Sequence, residues 1–228
     1  MNRKRATAWR KSRKFGDVYG GRQWAKVEDR IFQRKHSLKA PPAGANLPIV
    51  IRENPSRGFV FPVSAEEVLE SLKEFPDEHT EGITHIWLRR ARKDESEQCR
   101  VPFAEYLCGS GVRAIVIYPW PKDLTLKFGA RKPPARLLKE YSRWTDDLIS
   151  ENGNWSLRWT KDALQQFYRN YILAHEIGHH LDEQRRRWSK ANEKVLEDFA
   201  DQYALQWFST SLKARAVKLE EESPEAAE

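Results

Sequence analysis

Hydrophobic and polar positions change period several times along the chain, and each change predicts an element. Ile83 to Arg90 alternates apolar and polar residues, and Val112 to Tyr118 is a β-branched run closed by Pro119-Trp120-Pro121. Both predict strands. Shorter runs at Pro48 to Arg52 and Gly58 to Val63, separated by Asn54-Pro55-Ser56-Arg57, predict two more. Ser64-Ala65-Glu66-Glu67 has the form of a capping box, in which the Ser hydroxyl and the Glu carboxylate satisfy free amides at a helix start. A helix is therefore expected from Ala65 to Glu74. Tyr106 to Gly111 is expected to turn the chain into the Val112 strand, which makes this sheet mixed or antiparallel.

The second half reads differently. Ala135 to Leu148 is expected to be helical, and Glu151-Asn152-Gly153-Asn154 is a turn signal. After Thr160, a good N-cap, come Leu164, Phe167, Tyr168, Tyr171, Ile172, His175 and His179 at spacings of three and four. That period predicts one long amphipathic helix from Lys161 to Glu183. A second is predicted from Lys190 to Leu212, with Val195, Leu196, Phe199, Ala200, Tyr203, Ala204, Trp207 and Phe208 on its apolar face. The Glu-rich end after Lys218 is expected to fray. Strands first and long helices last give an α+β class.

The chain has 228 residues and a mass of 26.8 kDa, enough for one domain with a sizeable core. Its aromatic share of 11% is far above what a disordered chain carries. The formal charge of +7 is unevenly spread: residues 1–40 hold 13 Lys/Arg against Asp17, Glu28 and Asp29, a net of about +10 that leaves the remainder slightly acidic. This basic N-terminal arm, with Trp9, Phe15, Tyr19, Trp24 and Phe32 among its charges, has the composition to track a phosphate backbone and stack bases. Charge runs are more often solvated surface, here with one short amphipathic helix near Arg22 to His36. The breaker-rich stretch Ala40 to Pro48 then leads into a domain over 41–212, and an acidic tail covers 213–228. Apolar runs such as Ala114 to Ile117 are far too short to cross a bilayer, so no membrane partner is expected. The N-terminus lacks the apolar region of a signal peptide, and Cys99 and Cys108 have neither the number nor the spacing of a disulfide or CxxC framework. Both point to reduced thiols in a cytoplasmic protein. Oligomeric state is not legible.

The chemistry concentrates at His175-Glu176-Ile177-Gly178-His179. Two His four residues apart on a helix project within about 40° of each other, so both imidazoles can reach one metal ion while Glu176 reaches a water on it. A catalytic zinc site needs a third protein ligand and an open fourth position. No His follows His180, which excludes zincins that take a downstream His. In the next helix Glu197 and Asp201 stand at i and i+4. Glu197 is expected to complete a Zn²⁺ site, and Asp201 to accept a hydrogen bond from a ligand His and hold its tautomer. Glu183 and Glu193 are weaker third-ligand candidates because they flank the inter-helix turn, and Asp182 shares a helix with both His. Tyr203, Tyr171, His180 and His85 are candidate donors to an oxyanion. His180 is otherwise expected to be a surface or supporting His, and His85 a satisfied core residue.

His175-Glu-Ile-Gly-His179 followed by Glu197-Asp-Phe-Ala-Asp201 resembles the gluzincin metallopeptidases, over roughly Thr160 to Trp207. The resemblance implies a zincin-like fold, with a small mixed sheet on the active-site helix and a second helix bearing the third ligand. It implies a zinc-dependent peptidase with Glu176 as general base, acting on a protein or peptide that pairs with an edge strand, for which Val112 to Tyr118 is the candidate. A nucleic-acid-associated regulatory protein, its zincin domain delivered by the basic arm or inactive, is the alternative. The deformylase variant of the motif takes a Cys ligand, and neither Cys99 nor Cys108 has those surroundings.

Overall fold

The computed structural model describes residues 38–90, 102–183 and 191–222, with side chains as far as residue 211. Residues 1–37 of the basic arm, its amphipathic stretch included, and Cys99 lie outside the described residues, whereas Cys108 is half-buried among them. The fold is α+β. Its main sheet has four strands in the order β1 (Ile49–Arg52), β3 (His85–Leu88), β5 (Val112–Ile117), β4 (Ala104–Gly109). β1, β3 and β5 run parallel, and β4 closes the sheet antiparallel to β5.

The β-branched run of β5 suits this inner position, because both of its faces are covered. Ile115 and Ile117 face one core with Ile86 and Leu88, while Val112, Ala114 and Val116 face a second with Trp87, Leu107 and Tyr118. Each fully buried large apolar side chain contributes about 1.5–3 kcal/mol. The expected edge role of Val112 to Tyr118 is thereby overturned: β5 has a neighbour on each side, and the edge next to it is β4. The expected turn over Tyr106 to Gly111 shrinks to its last residues. Ser110 and Gly111 take φ of 48° and 77°, the left-handed pair that a two-residue hairpin requires, so everything up to Gly109 pairs as strand.

Helix α1 (Ala65–Leu72) starts at the predicted capping box, with both of its hydrogen bonds present, and lays Val68 and Leu72 on the first core. A short helix α2 (Asp77–Thr80) leads into β3. Strands β2 (Phe59–Val60) and β6 (Trp120–Pro121) form a small antiparallel pair. A third sheet has the order β7 (Thr125–Gly129), β9 (Asn154–Arg158), β8 (Leu148–Glu151), with the predicted turn at Asn152-Gly153 joining its last two strands. The helix expected over Ala135 to Leu148 ends early, as α3 (Ala135–Tyr141). Its chain turns back where the Trp144 and Thr145 amides both bond Tyr141 O, and Leu148 joins a strand.

The predicted helix over Lys161 to Glu183 is continuous but not uniform. It comprises α4 (Lys161–Phe167), a π-helical turn over Tyr168–Ile172, and α5 (Leu173–Glu183). The last helix, α6 (Glu193–Glu222), runs ten residues past the predicted stop at Leu212, and Val195, expected on its apolar face, stands exposed in its first turn. Among the described residues no helix is long and apolar enough to cross a membrane.

Candidate metal centre

Helix entry is fixed at Thr160, whose hydroxyl accepts from the Ala163 amide at 3.1 Å. Phe167 then anchors the helix among Trp159, Tyr141 and Trp144, with ring centroids 5.0 to 6.1 Å apart. One turn on, α5 buries Leu173, Ala174 and Ile177 and leaves His175 and His179 half-buried on its flank.

Small residues bring α6 against that flank. A Cβ on Gly178 would stand 2.8 Å from the Cα of Ala200, closer than side-chain carbons approach backbone, so glycine is what permits the contact. Ala200 and Ala204 are wholly buried in the same seam. The approach carries Glu197 and Asp201 to the two His.

His175 Nε2 and His179 Nε2 are 3.1 Å apart, and the Glu197 carboxylate stands 3.5 Å from the first and 3.6 Å from the second. Two atoms bound to one tetrahedral zinc at about 2.0–2.1 Å lie about 3.3–3.4 Å apart. Each of these distances lies near that spacing, and His175, His179 and Glu197 are a group among the described residues that could hold a metal ion. The other ring nitrogen of His175, Nδ1, is 3.0 Å from Asp201 Oδ1. An Nδ1–H donated there leaves the Nε2 lone pair facing the other two ligand atoms.

Charge balance in the metal-free chain follows the same contacts. Burial opposes a charge on His175, but Asp201 and Glu197 outweigh it and push its pKa up to about 10. Burial, and then the charge on His175, push His179 down to about 4. Hydrogen bonding to His175 draws both Glu197 and Asp201 below the usual carboxylate range. Glu176 lies on the buried side of α5. Burial raises it to about 7, against the pull of His175 and of a hydrogen bond from the Tyr106 backbone. Its Oε2 is buried and has no hydrogen-bond partner among the described residues.

The weaker ligand candidates lie outside this group. Glu183 Oε2 accepts from Arg113 Nε at 2.9 Å and from the Tyr106 hydroxyl at 3.0 Å, which turns it toward the sheet. Glu193 stands exposed in the first turn of α6, and Asp182 is buried on α5. The candidate oxyanion donors are likewise engaged: Tyr203 with His79 at 2.8 Å, Tyr171 with Asp201 at 3.3 Å, and His85 with Thr84 at 2.8 Å. His180 is not a surface residue. It is fully buried, 3.0 Å from the Tyr106 hydroxyl and 2.8 Å from Glu81 O, and burial pulls its pKa down.

Tyr106 itself was not legible as a site residue, since a lone Tyr before a Gly-Ser-Gly turn carries no spacing signal. The structure places it on β4 with its hydroxyl on α5 and its backbone on Glu176. No family model, curated protein or solved structure matches the chain.

Proposed function

We propose that the chain is a zinc-dependent metallopeptidase, with His175, His179 and Glu197 as ligands and Glu176 as general base. The observation that carries the reading is the convergence of three donors: His175 Nε2 and His179 Nε2 lie 3.1 Å apart, with Glu197 Oε2 3.5 Å from the first and Glu197 Oε1 3.6 Å from the second. A donor set of two imidazoles and one carboxylate fits zinc and leaves a fourth position open. Zinc bound there would polarise a scissile carbonyl and acidify a water toward neutral pH.

Glu176 supplies the base. With its pKa raised to about 7, its carboxylate is poised to take a proton from the attacking water and give it up to the leaving amine. Its unpartnered Oε2 is the acceptor available for that water. Asp201 holds the His175 tautomer in which Nε2 can ligate.

The mixed sheet, closed by antiparallel β4 beside the site helix, is in this reading a zincin-like arrangement. Phe103 O accepts from the Tyr118 amide, so by strand alternation the backbone groups of Ala104, Tyr106 and Cys108 face away from β5. A peptide substrate adds to that outer edge as a further strand.

The test is metal analysis together with cleavage of casein, an unstructured substrate, by the wild type and Glu176→Gln. Expected are about one zinc in both and a rate at least ~10²-fold lower in the variant, the usual scale for removing a general base. A Glu176→Gln protein as active as the wild type would sink the mechanism.

A further inference from the structure

We infer that Tyr171 is a positioning residue for the metal centre, acting on His175 through Asp201; the inference rests on the zinc site proposed above. Tyr171 lies one turn before His175, within the π-helical turn Tyr168–Ile172, which is marked by the Leu173 amide bonding Tyr168 O five residues back. A π turn holds an extra residue and rotates the helix before it relative to the helix after it. Tyr171 is thereby set against α6.

Two contacts fix where its hydroxyl lies. The ring stacks on Phe167, with centroids 5.7 Å apart and planes 12° from parallel, and Phe167 is held in turn against the rings of Trp144 and Trp159. The hydroxyl then donates to Asp201 Oδ1 at 3.3 Å, the same oxygen that stands 3.0 Å from His175 Nδ1. The partial burial of the phenol, reinforced by the Asp201 charge, keeps it protonated and therefore a donor.

Asp201 needs such a constraint. Its side chain is 53% exposed, so water competes for both oxygens and its rotamers are open. Two donors converging on Oδ1 select the rotamer that faces His175, and with it the ring orientation that presents Nε2. Outer hydrogen bonds of this kind tune affinity by orienting a ligand and add no bond to the metal.

The experiment is a zinc titration of the metal-free full chain, in competition with a chromophoric chelator. It compares the wild type, His175→Ala, Tyr171→Phe, Asp201→Ala and the Tyr171→Phe/Asp201→Ala double variant. Tyr171→Phe keeps the stacked ring and removes only the hydroxyl. It is expected to weaken zinc binding ~3- to 10-fold, below the ~10- to 100-fold usual for a group bonded directly to a ligand. In the Asp201→Ala background the same substitution should change nothing further. Unchanged affinity in Tyr171→Phe overturns the inference, and so does an equal loss in both backgrounds, which would make the effect one of packing. A wild type that binds no zinc, or a His175→Ala protein that binds it as tightly, overturns the zinc site itself, an outcome separate from a tight wild type with an indifferent Tyr171→Phe.

Discussion

Gly178 and Ala200 meet closer than any side chain would allow, a Cβ on Gly178 falling 2.8 Å from the Ala200 Cα, and this contact sets the distance between the helix that carries both His and the helix that carries Glu197. The glycine inside the His-Glu-Ile-Gly-His motif thus has a packing reason as well as a place in a pattern. Gly178→Ala improves helix propensity by about 1 kcal/mol, yet it must push the helices apart, and such overpacking costs about 1–3 kcal/mol. The variant is expected to melt lower than the wild type and to bind zinc more weakly, because Glu197 retreats from the His pair. A Gly178→Ala protein with a raised melting temperature and unchanged zinc affinity would show that the seam does not set the site.

The two acids of α6 should separate in a titration. Glu197→Ala removes the proposed third ligand and is expected to weaken zinc binding far more than Asp201→Ala, for which a loss of ~10- to 100-fold is expected because the proposed role of Asp201 is only to orient His175. Calorimetric titration of both variants reads the ordering. Equal losses, or a larger loss at Asp201, would mean that the carboxylates have exchanged roles.

Much of this site was legible in the chain because its helices are long and strongly periodic. The spacing of His175, His179, Glu197 and Asp201 already places each pair on one helical face, and the structure brings the two pairs together. What the period could not show is the π turn, which leaves the three-and-four spacing of Phe167, Tyr168, Tyr171 and Ile172 intact while shifting their direction. The edge of the sheet is hidden in the sequence for a different reason. Val112 to Tyr118 has the strongest strand signal because it is buried on both faces, and that burial is what an inner strand has. β4 was hidden by Tyr106-Leu107-Cys108, whose pattern is weak alone and is held by pairing with β5.

Behind the site, Tyr106, His180 and Glu183 form a network that ties β4 to α5, and it should matter for folding more than for the metal. Tyr106→Phe leaves the buried His180 Nδ1 without its hydroxyl partner, at a cost of about 1–3 kcal/mol. Urea unfolding should show that loss, while zinc stoichiometry stays at the wild-type value. The half-exposed Arg113–Glu183 pair adds less, since solvent screens it. Loss of zinc in Tyr106→Phe would contradict this division of labour.

Zinc and fold should be linked. His175→Ala and His179→Ala each remove one of the three donors, so both are expected to lose the metal, and with it the stability that binding contributes. A chelator added to the wild type should lower its melting temperature and leave either variant unmoved. A melting temperature of the wild type that ignores both zinc and chelator would argue against the coupling.

Zinc X-ray absorption on the stoichiometrically loaded protein reads the ligand set itself. One zinc per chain is expected, in a shell of nitrogen and oxygen atoms at about 2.0–2.1 Å, with the outer-shell scattering of two imidazoles and no sulfur. A chain that takes up no zinc, or a sulfur shell at about 2.3 Å, would contradict that ligand set.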